Sequence, residues 1–144
     1  MVRIERASQL EQLQAAEHLL DHPISTQASL RFLADPTHHL LLAYDSSDLP
    51  IGFVSGVEMT HPDKGTEMFL YELAVDEAHR RQGVGTSLVQ ALDALARSRG
   101  CYGMWVLTDL DNRAALGTYQ AVAGESPTTH AMVTWTYSGA ESAS

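Results

Sequence analysis

A single cysteine, a single lysine and the lack of any long apolar run set the outer limits on this chain. With Cys101 alone, no internal disulfide can form. Its place after Gly100 suits a small buried residue opening a strand better than a reactive thiol. Lys64 is the only lysine, and the formal net charge is −9. This argues against nucleic acid as a partner, because phosphate binding needs a dense basic surface. An acidic surface favours cationic ligands, although acidity also serves solubility alone. No stretch approaches the roughly 18 apolar residues of a membrane span. The opening Met1-Val2-Arg3-Ile4-Glu5-Arg6 holds no apolar signal core, so the expectation is a cytoplasmic protein without a membrane partner. Seven histidines are present, but His38-His39 alternate faces, and His61, His79 and His130 fall in separate elements. No ligand-spaced set results, and no metal is expected.

At 144 residues the chain fits one domain with a real core. That domain is expected over 1–137, with a frayed tail over 138–144. Val2 to Arg6 alternates as a first strand. Ser8-x-x-Glu11 reads as a capping box opening a helix through Leu20. Ser25 or Thr26 restarts a helix to about Leu33, stopped by Asp35-Pro36. His39 to Tyr44 and Ile51 to Met59 read as a hairpin around Asp45-Ser46-Ser47-Asp48. Thr60 to Gly65 reads as a loop, and Glu67 to Val75 as a third long strand. A helix is expected from about Gly83 to Ser98, with Leu88, Leu92 and Leu95 at core spacing. Tyr102 to Thr108 is another strand. Asn112 is a helix N-cap, the helix runs to about Val122, and His130 to Tyr137 reads as a last strand. The fold class that follows is α/β (or α+β), a mixed and mostly antiparallel sheet flanked by helices. The strand–helix–strand unit in its middle is parallel and right-handed.

The densest signal is Leu73-Ala74-Val75-Asp76-Glu77-Ala78-His79-Arg80-Arg81-Gln82-Gly83-Val84-Gly85-Thr86. An apolar strand meets a basic turn, two closely spaced glycines and a helix start. Free amides at a helix start carry partial positive charge, and glycine lets backbone approach a ligand closely. That combination suits a pyrophosphate. A Walker loop is excluded by its glycine spacing and missing lysine. A dinucleotide fingerprint is excluded by the missing third glycine.

Arg80-x-x-Gly83-x-Gly85 after a Leu-Ala-Val-Asp strand end resembles the coenzyme A pyrophosphate motif of the GNAT acyltransferase superfamily. Asn112-Arg113-Ala114-Ala115-Leu116-Gly117-Thr118-Tyr119 is similar to that superfamily's Asn-x-x-Ala-x-x-Leu-Tyr helix, with Thr118 in place of Leu. Ala123-Gly124 replaces its usual Gly-Phe. Tyr71-Glu72-Leu73-Ala74-Val75 and His79-Arg80-Arg81-Gln82-Gly83 look most like the aminoglycoside 3-N-acetyltransferase branch, with Glu72 for Asp.

The resemblance implies an acetyl-CoA-dependent N-acetyltransferase acting on a small polycationic amine, with an aminoglycoside as one candidate. Protein, peptide or polyamine acetylation competes within the enzyme class. A coenzyme A-binding sensor module competes from outside it. The superfamily's splayed parallel strand pair would take the cofactor. The main chain of Leu73, Ala74 and Val75 would hold its pantetheine arm. Arg80, Arg81 and the amides of Arg81, Gln82, Gly83, Val84, Gly85 and Thr86 would hold its pyrophosphate, with Asn112 and Tyr119 on the cofactor side. Tyr119, a phenol of pKa near 10, matches a departing thiolate. It also reads as a core-packing tyrosine. Glu72 is the candidate general base, directly or through water, if burial raises its pKa. It equally reads as an outward-facing strand carboxylate. Asp109 and Asp111, at the C-terminal edge of a strand, suit an acceptor with several ammonium groups, and also suit turn formation and capping. Glu67 and Asp21 are further substrate candidates. The resemblance also admits a homodimer, with the last strand as exchange element.

Overall fold

The computed structural model describes residues 2–138. In chain order the elements are β1 (Arg3–Arg6), α1 (Leu10–Ala15), a 3-10 turn (Glu17–Leu19), α2 (Thr26–Ala34), β2 (His38–Tyr44), β3 (Pro50–His61) and β4 (Gly65–Val75). A second 3-10 turn (Glu77–His79), α3 (Val84–Ser98), β5 (Met104–Val106) and α4 (Arg113–Ala123) follow. The sheet order is β1-β2-β3-β4-β5. Every pair is antiparallel except β4 with β5, which is parallel. The expected mixed sheet with one parallel pair around α3 is therefore present.

Two cores lie on the two faces of the sheet. On one face Leu41, Ala43, Val54, Met68 and Leu70 meet Leu88, Val89, Leu92 and Ala96 of α3, with Tyr119 and Val122 of α4 at the margin. On the other, Leu40, Leu42 and Phe53 meet Leu13, Ala16, Phe32 and Leu33 of α1 and α2. This explains the unbroken apolar run of β2: a strand covered on both faces has no polar side to alternate with. α3 crosses β3 closely because Gly56 has no side chain. A Cβ there would lie 3.0 Å from both Leu92 methyls and from the Met68 sulfur. The helix ends in a Schellman arrangement. Gly100, at φ +80°, donates to the Arg97 carbonyl at 3.1 Å, and Cys101 donates to the Ala96 carbonyl at 3.0 Å. Cys101 is half-buried against the α3 core.

Several boundaries differ from expectation. The first helix is not capped by Ser8 and Glu11. Instead the Gln12 side chain accepts from the backbone of Ser8 at 2.7 Å and Gln9 at 2.9 Å. It is also short, giving way to the 3-10 turn before Leu20. The expected loop at 60–65 is mostly ladder. Thr60 pairs with Thr66 and His61 with Gly65, leaving a three-residue turn over 62–64. Polar residues misled there because the hairpin continues past the core that it serves. β5 covers only Met104–Val106 of the expected Tyr102–Thr108 strand. No strand is formed over His130–Tyr137, where Met132 is 79% and Trp135 72% exposed. An alternating pattern shows a capacity to pair, but it does not supply a free edge long enough to pair with. Ser138 apart, the expected frayed tail lies outside the described residues. Among the described residues, no helix is long and apolar enough to cross a membrane.

Candidate active site

The site begins where β4 and β5 part. Met68 pairs with Met104, Phe69 with Trp105 and Leu70 with Val106, and there β5 ends. β4 runs on to Val75 with β3 as its sheet neighbour: Ser55 opposes Glu72, Val54 opposes Leu73, and Gly52 opposes Val75. From Tyr71 onward its other edge offers backbone groups to which no strand is paired among the described residues. Gly56 opposes Leu70 while Ser55 opposes Glu72, so Tyr71 is the extra residue of a β-bulge. The bulge resets the alternation of β4. Met68 and Leu70 face the α3 core, and so do Leu73 and Val75. Glu72 is thereby turned to the opposite face.

On that face Glu72 lines a cavity of about 450 Å³ together with Leu13, Leu20, Asp21, His22, Phe32 and Tyr71. Burial first, then the charge of Asp21 and a hydrogen bond with its carboxyl, push the Glu72 carboxyl above its ordinary range. Glu72 and Asp21, far apart in sequence, are thus one acid pair. Phe69 stacks on Trp105 across the parallel strands, with ring centroids 4.3 Å apart, and meets Tyr71 edge-on at 5.8 Å. These aromatic rings escaped the sequence reading, because their grouping depends on the β4–β5 register and on the bulge.

The turn after β4 forms the second half of the site. Gly83, at φ +80°, is the N-cap of α3, and Arg81 takes φ 65°, a left-handed conformation that costs energy in a non-glycine residue. A Cβ on Gly83 would meet nothing within 4 Å, so the residue opens onto free space. No side chain caps the start of α3 and no acid lies in its first turn. The amides of Val84, Gly85 and Thr86 therefore keep their attraction for an anion. Gly85 sits where α3, α4 and β4 meet; its absent Cβ would touch Thr118, Val75 and Leu73 at 3.7–3.8 Å. Arg80 folds back, its Nε donating to the Val75 carbonyl at 3.3 Å. This geometry fits a pyrophosphate held by main chain. His79 Nε2 donates to Asp45 Oδ2 at 2.9 Å.

The other candidates are scattered. Tyr119 lines a cavity of about 410 Å³ with Met104 to Thr108 of the β5 region, and not the cavity of Glu72. Burial raises its phenol pKa. It therefore stands on the β5 side of the gap and Glu72 on the β4 side. Asn112 uses its side-chain carbonyl to cap α4, accepting from Ala115 at 3.1 Å. Asp109 and Asp111 are exposed, and their main-chain carbonyls accept from Asn112 and Arg113 at 3.0 Å each. Glu67 accepts from the Tyr102 hydroxyl at 2.9 Å, five residues along β4 from Glu72 and so about 16 Å away. Among the described residues, no three His, Cys, Asp or Glu side chains gather as a metal site.

A sequence model described as the acetyltransferase (GNAT) family matches residues 5–124. Mycothiol acetyltransferase of Clavibacter sepedonicus is 42% identical over 74 residues, which is 51% of this chain and 22% of that protein. The chain spans less than half the length of the curated relatives that it matches. An aminoglycoside acetyltransferase from an uncultured soil metagenomic sample has a TM-score of 0.77 at 22% identity, covering 94% of this chain and 99% of that one. AAC(6′)-Iy, solved with a bisubstrate analogue, CoA-S-monomethyl-acetylneamine, has a TM-score of 0.76 at 20% identity over 95% and 98% of the two chains. These last likenesses show a shared fold.

Proposed function

The chain belongs to the GNAT acetyltransferase family, and on that premise we propose that it transfers acetyl from acetyl-CoA to a primary amine of a small polycationic acceptor. The observation that carries the acceptor class is the paired acids Asp21 and Glu72 in one open-sided, partly apolar cavity beside the open edge of β4. An ammonium between two carboxylates relieves their mutual repulsion, so a cationic amine is the natural occupant. An aminoglycoside fits this description, as does a polyamine. The structural neighbours include enzymes with 6′ names, so the 3-N position is one regiochemistry among those to be tested.

Each residue then has a task. The amides at the start of α3 and the main chain of Leu73 to Val75 bind and orient the donor. An N–H near Val75 polarises the thioester oxygen. Glu72, ionised, first takes a proton from the bound ammonium; the neutral amine then attacks the acetyl carbon, and its second proton passes to solvent as the amide forms. Tyr119 gives its phenolic proton to sulfur as the carbon–sulfur bond breaks. The raised pKa of Tyr119 keeps that proton in place at neutral pH.

A homodimer forms part of the reading. Met132, Val133, Trp135 and Tyr137 are all exposed, and among the described residues the three-residue β5 is the last strand of the sheet.

The deciding experiment is a thiol-release assay with acetyl-CoA over aminoglycosides, polyamines and peptides. Turnover of small polyamines or aminosugars is expected. Coenzyme A binding without turnover of any amine would favour the sensor module instead.

A further inference from the structure

We propose that His79 is a positioning residue for the cofactor loop, a latch that ties the 80–86 turn to the β2–β3 turn through Asp45. This rests on the reading of that loop as the coenzyme A pyrophosphate site. The ring lies between two carboxylates. His79 Nε2 is 2.9 Å from Asp45 Oδ2, and His79 Nδ1 is 3.3 Å from Asp76 Oδ2. Both carboxylates are themselves held. Asp45 Oδ1 accepts from the Ser47 backbone at 2.8 Å, and Asp76 Oδ1 accepts from that of Ala78 at 3.4 Å. Nδ1 is buried and makes no hydrogen bond of its own. The ring is thus fixed by one hydrogen bond to a distant element, with the Asp76 carboxylate beside its other nitrogen.

The position of this contact gives it a purpose. It spans 34 residues of sequence. Among the described residues, it is the only side-chain hydrogen bond that ties the 77–86 segment to a strand or turn other than the adjoining β4. The segment that it restrains holds Arg81 and Gly83 at positive φ. A turn of that kind relaxes unless its surroundings hold it, and its amides then lose their common aim. Asp45 also lines a small cavity of about 240 Å³ with Gln82, Gly83, Val84 and Ser87.

The test compares wild-type protein with His79→Ala, Asp45→Ala, the double variant and the conservative His79→Gln. Calorimetry gives the coenzyme A dissociation constant, and hydrogen exchange of amides 81–86 is followed in ligand-free protein. Each single alanine variant is expected to weaken coenzyme A binding about tenfold, the worth of one charge-assisted hydrogen bond. Exchange at 81–86 should be faster in both. The double variant should be no worse than the weaker single, because both substitutions cut one link. His79→Gln, which keeps a donor, should recover part of the affinity. KM for acetyl-CoA should rise while kcat changes less than about twofold. Unchanged affinity and exchange in both single variants, or strictly additive losses in the double, would overturn the latch. Should an alanine variant fail to fold, His79→Gln and Asp45→Asn carry the same comparison. Wild-type protein that does not bind coenzyme A would overturn the cofactor reading, and the latch's purpose with it.

Discussion

The carboxyls of Asp21 and Glu72 meet in one cavity, one acid against another. They come from different elements: Asp21 from the connection between the helices, Glu72 from β4. Neither residue alone explains the shifted titration of Glu72, for burial raises its pKa and Asp21 raises it further.

The sign of this coupling predicts a pH profile. Glu72 must be ionised to accept a proton, so kcat/KM rises with pH as Glu72 titrates. Asp21→Asn removes the neighbouring charge, and the acidic limb should move to lower pH. Glu72→Gln should cost about a hundredfold in kcat. In stability the same raised pKa acts in reverse. The ordinary value is 4.5; the folded protein holds the proton more tightly, so this contribution is full below that value and lost as pH rises through the folded pKa. Glu72→Gln should therefore melt no lower than wild type near pH 8. An acidic limb unmoved by Asp21→Asn would remove the coupling.

Tyr119→Phe should lower kcat about a hundredfold or more while leaving the coenzyme A dissociation constant within about twofold. The raised phenol pKa places any loss of the proton well into the alkaline range. A Phe variant with full turnover between pH 6 and 9 would show that the tyrosine only packs.

A buried ion cluster at the other end of the sheet should govern acid stability. His39 Nδ1 accepts from Arg6 Nε at 3.0 Å, so Nε2 carries the proton and donates to Glu58 at 2.6 Å. Arg99 Nε reaches the same Glu58 oxygen at 2.8 Å. Burial, more than the Arg6 charge, lowers the His39 pKa below 6.5, although its bond to Glu58 opposes the shift. Burial alone would raise Glu58, but bonds from His39 and Arg99 outweigh it and lower the carboxyl pKa. Both shifts act in one direction. An unfolded chain binds more protons, so stability is full above about 6.5 for His39 and is lost as pH falls through the folded values. Chemical denaturation between pH 5 and 8 should show this slope, and His39→Gln should flatten it.

Gly56→Ala should destabilise the fold by about 1–3 kcal/mol in urea. The new methyl would sit 3.0 Å from Leu92 and Met68, which are fully buried and have nowhere to move. The loss should fall on α3, whose first amides are proposed to hold the pyrophosphate, so coenzyme A affinity is expected to drop with it.

If a second copy covers residues 130–137, wild-type protein should sediment as a dimer. Trp135→Ser with Val133→Asp should then sediment as a monomer. An unchanged sedimentation coefficient would place the interface elsewhere.

The local structure of the proposed donor half was legible in the chain. Strand, basic turn, Gly83 and Gly85, and α3 are contiguous, and backbone chemistry there follows from local sequence. Helix caps at Ser25 and Asn112 were legible for the same reason. The grouping proposed for the acceptor half was not, although Asp21, Glu67, Glu72, Asp109 and Asp111 all stand in the sequence as candidates. Which of them share a cavity depends on contacts across tens of residues. The His130–Tyr137 strand was overread because periodicity carries no information about a partner.

The sequence by itself determined where backbone amides would be free and which residues could carry protons, because both are properties of short segments. Only the tertiary structure decided which face Glu72 looks toward. One extra residue, Tyr71, resets the two-residue alternation of β4, and a single step of register moves a strand side chain from one face of the sheet to the other.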